Sequence, residues 1–203
     1  MPRINAEYRE DARKKIIAAA LDVAVSGSWG AVTLEAIAKK VGVTKGAFYS
    51  YFPNSTVLMQ NVIIEMIRTI RDQVLAGLSN EPDVRTALDR IASFIYLQPK
   101  PFIPIFIHAI STMPEDPAFR DKISQLFDEN SAIIVAVLVR YQEAGEIQKE
   151  VDLPSAVKAI YAMTMGLGVM THVLGKDAQG AKDVWIDAAG KILLLGSVHR
   201  KKR

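Results

Sequence analysis

The stretch TLEAIAKKVGVTKGAFYSYF, residues 33–52, contains two short helical patterns separated by a glycine. In the first pattern, apolar residues recur at the i, i+3, i+4 and i+7 positions of a helix that buries one face, namely Leu34, Ile37, Ala38 and Val41. Thr33 is placed to cap this helix, and Gly42 stands where a helix commonly ends in a left-handed conformation. Thr44 can cap a second helix, which we predict over residues 45–51. Two short helices joined by a glycine-containing turn form a helix-turn-helix.

The second of these helices is predicted to carry a DNA-binding surface. A helix-turn-helix places its second helix in the major groove, with the N-terminal residues of that helix towards the base edges. Phe48 and Phe52 are four residues apart and are placed to anchor the helix inward. The outward residues are then a lysine, hydroxyl-bearing side chains that suit phosphate contacts, and two small residues that allow close approach: Lys45, Tyr49, Ser50, Tyr51, Gly46 and Ala47. An ordinary helical hairpin with surface tyrosines remains open as the alternative.

Length and composition favour a soluble intracellular protein. The 203 residues fit one large domain or a small module joined to a larger one, and half of them are hydrophobic, enough for a sizeable core. The chain has no cysteine, which suits a reducing cytoplasm. The charged first residues argue against a secretory signal. We interpret the uncharged run over residues 159–175 as a buried helix, because it is short and polar for a membrane span.

The basic residues are concentrated at the two ends of the chain. Residues 1–51 carry eight Lys/Arg against five Asp/Glu, and residues 200–203 add four more positive charges. A positive head on a mildly acidic body favours contact with a polyanion, although such a surplus is common on ordinary surfaces. The basic tail is usually a solvated end and less often an auxiliary DNA contact.

Helical patterns continue through nearly the whole chain, and strand-like alternation is absent. Beyond the helix-turn-helix we predict helices over residues 9–25, 55–78, 82–98, 116–144, 152–174 and 181–198. Between residues 99 and 115 the chain is dense in proline, and no helix is assigned there. The helix over residues 55–78 spans on the order of 35 Å and could transmit movement from a body to a head. The predicted fold class is all-α, with about nine helices.

The segment TLEAIAKKVGVTKGAFYSYFPNSTVLM, residues 33–59, resembles the N-terminal signature of the TetR family of transcriptional regulators. The resemblance covers roughly residues 10–60; the remainder agrees in length and helical character. It implies a three-helix DNA-binding head, a linking fourth helix, and a larger helical body that dimerises and binds a small molecule. We therefore expect a DNA-binding domain over residues 1–54 and a ligand-binding and dimerisation domain over residues 55–203.

The resemblance also implies which residues meet DNA. The family's contacts fall here on Thr33, Thr44, Lys45, Gly46, Ala47, Tyr49 and Tyr51. After YFPN the family usually has a lysine that meets a phosphate, whereas this chain has Ser55. The serine hydroxyl or the N–H groups at the start of the helix could still reach a phosphate.

The body offers candidate positions for a ligand and for a second subunit. A mainly apolar ligand cavity is expected among Phe94, Phe102, Phe106, His108, Tyr161, Met165 and His172, each of which could equally be plain core. Two C-terminal helices could form an intersubunit four-helix bundle through Ile160, Met163, Leu167, Met170, Trp185, Ala188, Ala189 and Ile192. Periodicity alone leaves an intramolecular core equally open, and the resemblance favours a homodimer.

The sequence indicates neither an enzyme nor a bound cofactor. It contains no HExxH, GxSxG or Walker A motif, and GLGVMT lacks the third glycine of a dinucleotide loop. His108 and His172 lack the spacing of metal ligands, so no metal is expected. We expect a cytoplasmic homodimeric regulator of operator DNA, usually a repressor in this family. A sequence-nonspecific DNA-coating protein, a helical interaction module and a regulator whose body merely dimerises are the alternatives.

Overall fold

The computed structural model describes residues 6–26, 33–42, 44–98, 102–112 and 116–195. Within these residues the chain forms nine helices and no strand, which confirms the all-α prediction. The helices are α1 Ala6–Ser26, α2 Leu34–Val41, α3 Lys45–Tyr49, α4 Ser55–Asn80, α5 Val84–Tyr96, α6 Ile103–Thr112, α7 Pro117–Glu143, α8 Leu153–His172 and α9 Ala178–Ile192.

Local side-chain chemistry sets the ends of the helices around the turn. The hydroxyl of Thr33 accepts a hydrogen bond from the backbone N–H of Ala36 at 3.1 Å, and Gly42 ends α2 with a φ of 77°. Both caps are as predicted. Helix α3 ends two residues earlier than predicted, because the N–H groups of Tyr51 and Phe52 both donate to the carbonyl of Phe48 and close the helix in a tight turn.

The proline-dense stretch contains a helix that the sequence analysis did not assign. Pro104 is the second residue of α6, where its missing N–H has no intrahelical partner to lose. Prolines therefore did not exclude a helix here. Helix α9 begins three residues before the predicted start because the carboxylate of Asp177 accepts from the N–H groups of Gln179 and Gly180. It ends at Ile192, earlier than predicted, and the basic tail lies outside the described residues.

The chain divides into two compact units, one of residues 1–70 and 104–120 and one of residues 71–103 and 121–203. The division falls inside α4, so this continuous helix contributes its first part to one unit and its last part to the other. The predicted boundary between residues 54 and 55 concerns function rather than compactness, and it stays a prediction.

The first unit has a small apolar core built by α1 to α4. Its buried members are Ile16, Ala20, Ile37, Phe48, Phe52, Leu58 and Val62. Of these, Ile37, Phe48 and Phe52 were predicted to face inward. Gln60 of α4 also donates to Oδ2 of Asp116 at 2.7 Å, and Oδ1 of the same carboxylate caps α7 by accepting from the N–H of Phe119 at 3.0 Å. A single carboxylate thus serves two helices.

The second unit is built around α5, α8 and α9, which pack against one another. Trp185 of α9 is buried, and its indole N–H donates to the hydroxyl of Thr164 in α8 at 2.7 Å. The phenol of Tyr141 donates to the carbonyl of Leu78 near the end of α4 at 2.5 Å. Helix α8 is long and apolar enough to cross a membrane by length and composition, a test that core helices also pass. One side of α8 packs against α9, but Ala159, Ala162, Gly166 and Met170 are exposed, so the prediction of a buried helix is correct for one side only.

Candidate nucleic-acid interface

Two phenylalanines fix the position of α3. Phe48 and Phe52 have no exposed surface, and their ring centroids lie 5.5 Å apart within the first core. Because one residue lies in α3 and the other just beyond it, the helix is held by its C-terminal end. The predicted inward anchor is confirmed.

The side of α3 opposite the anchor is exposed and carries polar groups. Tyr49 is 48% exposed, with its ring edge against Phe48 at a centroid distance of 5.9 Å. Gly46 faces open space, since a Cβ placed on it would meet no atom within 4 Å. The remaining exposed members of the predicted contact set are Thr33, Thr44, Ser50 and Ser55. Small and hydroxyl-bearing residues are therefore open to solvent at and around α3.

Three predicted contact residues, Tyr51, Lys45 and Ala47, are not among these exposed groups. Tyr51 is only half exposed and packs against the core of the first unit, so the expectation that it points fully outward is corrected. The chain turns back after Tyr49, which carries the ring of Tyr51 towards the core. The side chains of Lys45 and Ala47 lie outside the described residues, and their contacts with DNA stay predictions.

Two arginines of α1 hold the turn that follows α3, a role that the sequence analysis missed. Arg9 donates to the carbonyl of Ser50 at 2.6 Å. The guanidinium of Arg13 lies 4.9 Å from the centre of the Phe52 ring and donates to the side-chain carbonyl of Asn61 at 3.2 Å. The only available signal was their spacing of four, which puts both on one face of α1. Arg9 and Arg13 belong to the basic residues of the head that were expected to favour a polyanion, and both have partners within the chain. Lys40 of the same region pairs with Asp22.

The start of α4 also faces solvent. The side chain of Asn54 accepts from the N–H of Val57 at 2.9 Å and caps the helix. Ser55 is the first residue of α4 and is exposed, at a helix end whose partial positive charge favours a phosphate. The Ser55 side chain is therefore accessible for the predicted phosphate contact.

The predicted ligand residues are divided between the two compact units. Phe106 is buried in the first unit, and the side chain of His108 lies outside the described residues. The other five belong to the second unit, and most make aromatic contacts there. Phe94 lies 6.2 Å from Phe102, Tyr161 lies edge-on to Phe127 at 5.7 Å, and Met165 is half-buried.

His172 and Tyr96 form a stacked pair at the end of α8. Their ring centroids lie 6.3 Å apart, and Nε2 of His172 lies 3.1 Å from the carbonyl oxygen of Ile95, so this nitrogen carries the proton and donates. His172 thus ties α8 to α5, a role the sequence analysis did not foresee. Burial raises the pKa of both Tyr96 and Tyr161, which keeps their phenols neutral. No group of three or more His, Asp or Glu side chains in the described chain could hold a metal ion.

The predicted dimer residues separate into core and surface. Trp185 is 2% exposed and Ala189 is fully buried within one chain, so neither can meet a partner, and both assignments are corrected. Periodicity showed an apolar face of α9, and α5 and α8 cover that face from the same chain. Among the others, Ile160, Met163, Leu167 and Ile192 are half-buried against this core, Ala188 is half-buried, and Met170 is 48% exposed.

Comparison with known proteins agrees with the geometry of the head. A family model described as "Bacterial regulatory proteins, tetR family" matches residues 16–62. The HTH-type transcriptional regulator SrpR of Pseudomonas putida is 27% identical over 168 residues, which cover 82% of this chain and 78% of that protein. The nucleoid occlusion factor SlmA of Marinobacter nauticus is 25% identical over 139 residues, 68% of this chain and 69% of that protein.

The body is similar to solved structures as well. A protein from Saccharomonospora viridis, described as a transcriptional regulator in complex with choline, aligns with a TM-score of 0.70 at 18% identity. The alignment covers 88% of this chain and 95% of that one, a likeness of fold. The matched family model spans α3 and its anchor, so the likeness to the tetR family of bacterial regulatory proteins is located in residues 16–62 of this chain.

Proposed function

We propose that the protein is a homodimeric repressor that binds a palindromic operator and is released from it by a small, mainly apolar molecule. The observation that carries the proposal is the exposed polar side of α3, held by the buried pair Phe48 and Phe52. Two such helices on a dimer match half-sites roughly 34–36 Å apart, one turn of DNA, or a multiple of it. A cytoplasmic location follows from this role and stays a prediction.

Operator binding is tested by fluorescence anisotropy with two duplexes of equal length, one carrying the palindrome upstream of the protein's own gene and one of random sequence. A regulator is expected to bind the palindrome at least about 1,000-fold more tightly than the random duplex at physiological salt. Equal affinity for both duplexes identifies a sequence-nonspecific DNA-coating protein instead. Adding a compound that stabilises the protein then tests release, and unchanged operator affinity refutes the effector role.

Lys45→Ala is expected to weaken operator binding and to lower the slope of log K against log salt by about one unit, because one phosphate contact is lost. The melting temperature should stay nearly unchanged. Lys39→Ala is the matched control, since Lys39 is an exposed lysine of α2 outside the predicted contact set. Anisotropy titrations at several salt concentrations measure the slope. Equal slopes for Lys45→Ala and the unmodified protein would show that Lys45 makes no phosphate contact.

The proposed dimer is supported by an exposed, uncharged side of α8. Ala159, Ala162, Gly166 and Met170 are exposed there at spacings of three and four, and a Cβ on Gly166 would meet no atom of the chain within 4 Å. Small residues let a second helix approach closely, and a two-fold axis would bring the same surface of the partner against it. The chain between residues 159 and 175 carries no Asp, Glu, Lys or Arg.

Gly166→Arg is expected to weaken dimerisation about 100-fold or more, since it places an unpaired charge and a long side chain in a close helix contact. Analytical ultracentrifugation should show monomers of native helical content. Gly166→Ala is the control: it fits the open space, should remain dimeric, and adds up to about 1 kcal/mol of helix stability. A Gly166→Arg protein that still sediments as a dimer places the interface elsewhere.

Release by an effector requires that the ligand bind the DNA-competent and incompetent forms with different affinity. Helix α4 is suited to such coupling, because it leaves the head as one continuous helix of 26 residues. A coupling of about 1–3 kcal/mol suffices for a five- to 150-fold loss of operator affinity. The choline-bound protein from Saccharomonospora viridis supports small-molecule binding by a body of this fold.

A further inference from the structure

Helix α3 is short, so its orientation depends on the contacts at its ends. It has five residues, Lys45–Tyr49, too few for a helix to be stable by itself. Phe48 anchors it in the core of the first unit, and a turn over residues 50–54 joins it to α4. Hydrogen bonds to base edges are short and directional, so a helix that reads DNA has to be held to within about 0.5 Å. The contacts made by the turn therefore determine how α3 is presented.

Arg13 of α1 contacts both the turn and α4. Its guanidinium lies over the Phe52 ring, 4.9 Å from the ring centre, and Nη2 donates to Oδ1 of Asn61 at 3.2 Å. The centroid of the Phe52 ring lies 5.5 Å from that of Phe48. A continuous series of contacts thus runs from Asn61 in α4 through Arg13 to the two phenylalanines that hold α3. All four residues lie in the first compact unit.

Asn61 is oriented to bind this arginine. Its Nδ2 donates to the carbonyl of Val57, four residues earlier in α4, at 2.7 Å, which leaves Oδ1 to accept from Arg13. A side-chain amide has a donor end and an acceptor end, so the bond to Val57 fixes which end faces the guanidinium. The acceptor for Arg13 is therefore tied to the backbone of α4.

Arg9 makes a second link between α1 and the end of α3. Its Nη2 donates to the carbonyl oxygen of Ser50, the first residue after α3, at 2.6 Å. Arg9 and Arg13 are four residues apart and share one face of α1. The Arg9 bond is exposed to solvent, so it is expected to contribute less than the partly buried bond of Arg13.

The two contacts of Arg13 suit an arginine and not a lysine. A planar guanidinium can stack on an aromatic ring and donate from its edge at the same time, whereas an ammonium is a compact and strongly hydrated charge. A phosphate contact is less demanding, because lysine also binds phosphate as a point charge. Replacement of Arg13 by lysine therefore separates a role in holding α3 from direct contact with DNA.

We propose that Arg13, supported by Arg9, is a positioning residue for operator recognition. It fixes the orientation of α3 relative to α4 through Phe52 and Asn61, and it does not itself bind DNA. This inference rests on the proposed operator binding and names the contacts by which α4 sets the position of the recognition helix. A change in the orientation of α4 reaches α3 through the same contacts.

The test measures two quantities by fluorescence anisotropy: the ratio of affinities for the palindrome and the random duplex, and the slope of log K against log salt. Arg13→Met should lower the ratio about tenfold or more and leave the slope unchanged, because base contacts are misaligned while no phosphate contact is lost. Arg13→Lys should lower the ratio to a similar extent, and Arg9→Met should lower it less.

Asn61→Leu should reproduce the effect of Arg13→Met, because it removes the acceptor on α4. The double variant should lose less than the product of the two single losses, since both substitutions break the same contact. Lys15→Met is the matched control. Lys15 is an exposed residue of α1 two positions after Arg13, on a different side of the helix, so the same charge is lost and the ratio should not change.

A merely structural role for Arg13 gives a different result. A smaller folded fraction weakens binding to both duplexes equally, so an unchanged ratio in Arg13→Met overturns the proposal. An Arg13→Lys protein with the ratio of the unmodified protein, or a slope lowered by about one unit in Arg13→Met, also overturns it and indicates a phosphate contact instead. If the unmodified protein shows no preference for the palindrome, the proposed function fails together with this inference, so the two failures are distinguishable.

Discussion

Phe48→Ala is expected to unfold the head and abolish operator binding. The side chain is fully buried between α3 and the other helices of the first core, so its removal leaves a cavity in a core of few residues. Such truncations cost about 3–5 kcal/mol, a large share of the stability of a small unit. Hydrogen exchange of peptides covering residues 33–62 measures the loss where it occurs.

Tyr49→Ala is the control for this substitution. Tyr49 is the next residue along the same helix and is 48% exposed, so its removal should change the free energy of unfolding by about 0.5 kcal/mol or less. Operator affinity should still fall if the phenol meets DNA. Equal protection of the head in the Phe48→Ala and Tyr49→Ala proteins would contradict the placement of the anchor.

Trp185→Ala is expected to destabilise the body by about 3–5 kcal/mol. The indole is buried between α5, α8 and α9, and its N–H has a buried acceptor in Thr164. The truncation therefore opens a cavity and leaves the Thr164 hydroxyl with one partner fewer. Urea denaturation followed by circular dichroism measures the loss.

Val184→Ala is the neighbouring control, because Val184 is 54% exposed and should tolerate truncation within about 0.5 kcal/mol. Repeating the measurement at several protein concentrations also shows whether Trp185 lies in the core of one chain or in a dimer interface. A core residue lowers stability equally at all protein concentrations, whereas an interface residue shows a loss that depends on concentration. A concentration-dependent effect of Trp185→Ala would return this residue to the dimer contact first predicted for it.

Much of the head could be predicted because its signals are local. The caps Thr33 and Gly42 and the anchor Phe48 each depend on residues within one or two helical turns, where spacing determines geometry. The contact of Arg9 with Ser50 joins residues 41 apart in the chain, and no local pattern reports it. Tyr51 was misplaced because α3 ends before it.

The body was harder to predict because periodicity shows that a face is apolar but not what covers it. Trp185 and Met170 have similar patterns, yet one is core and the other is exposed. Asn130 is a polar residue on a helix with an otherwise ordinary apolar stripe, and it was not singled out. That its buried Oδ1 has no hydrogen-bond partner among the described residues is visible only once α7 is packed.

The shared carboxylate of Asp116 restricts how the sequence can change over time. Gln60→Glu alone would set two carboxylates at hydrogen-bonding distance, whereas Asp116→Asn alone keeps both bonds once the Gln60 amide turns over and its oxygen accepts from the new side-chain N–H. Made together, the two changes keep both bonds with the donor and acceptor exchanged, since an asparagine amide can donate to the glutamate while its oxygen caps α7. A glutamate at position 60 is thus expected only after position 116 has become asparagine, so the order of the two changes is fixed.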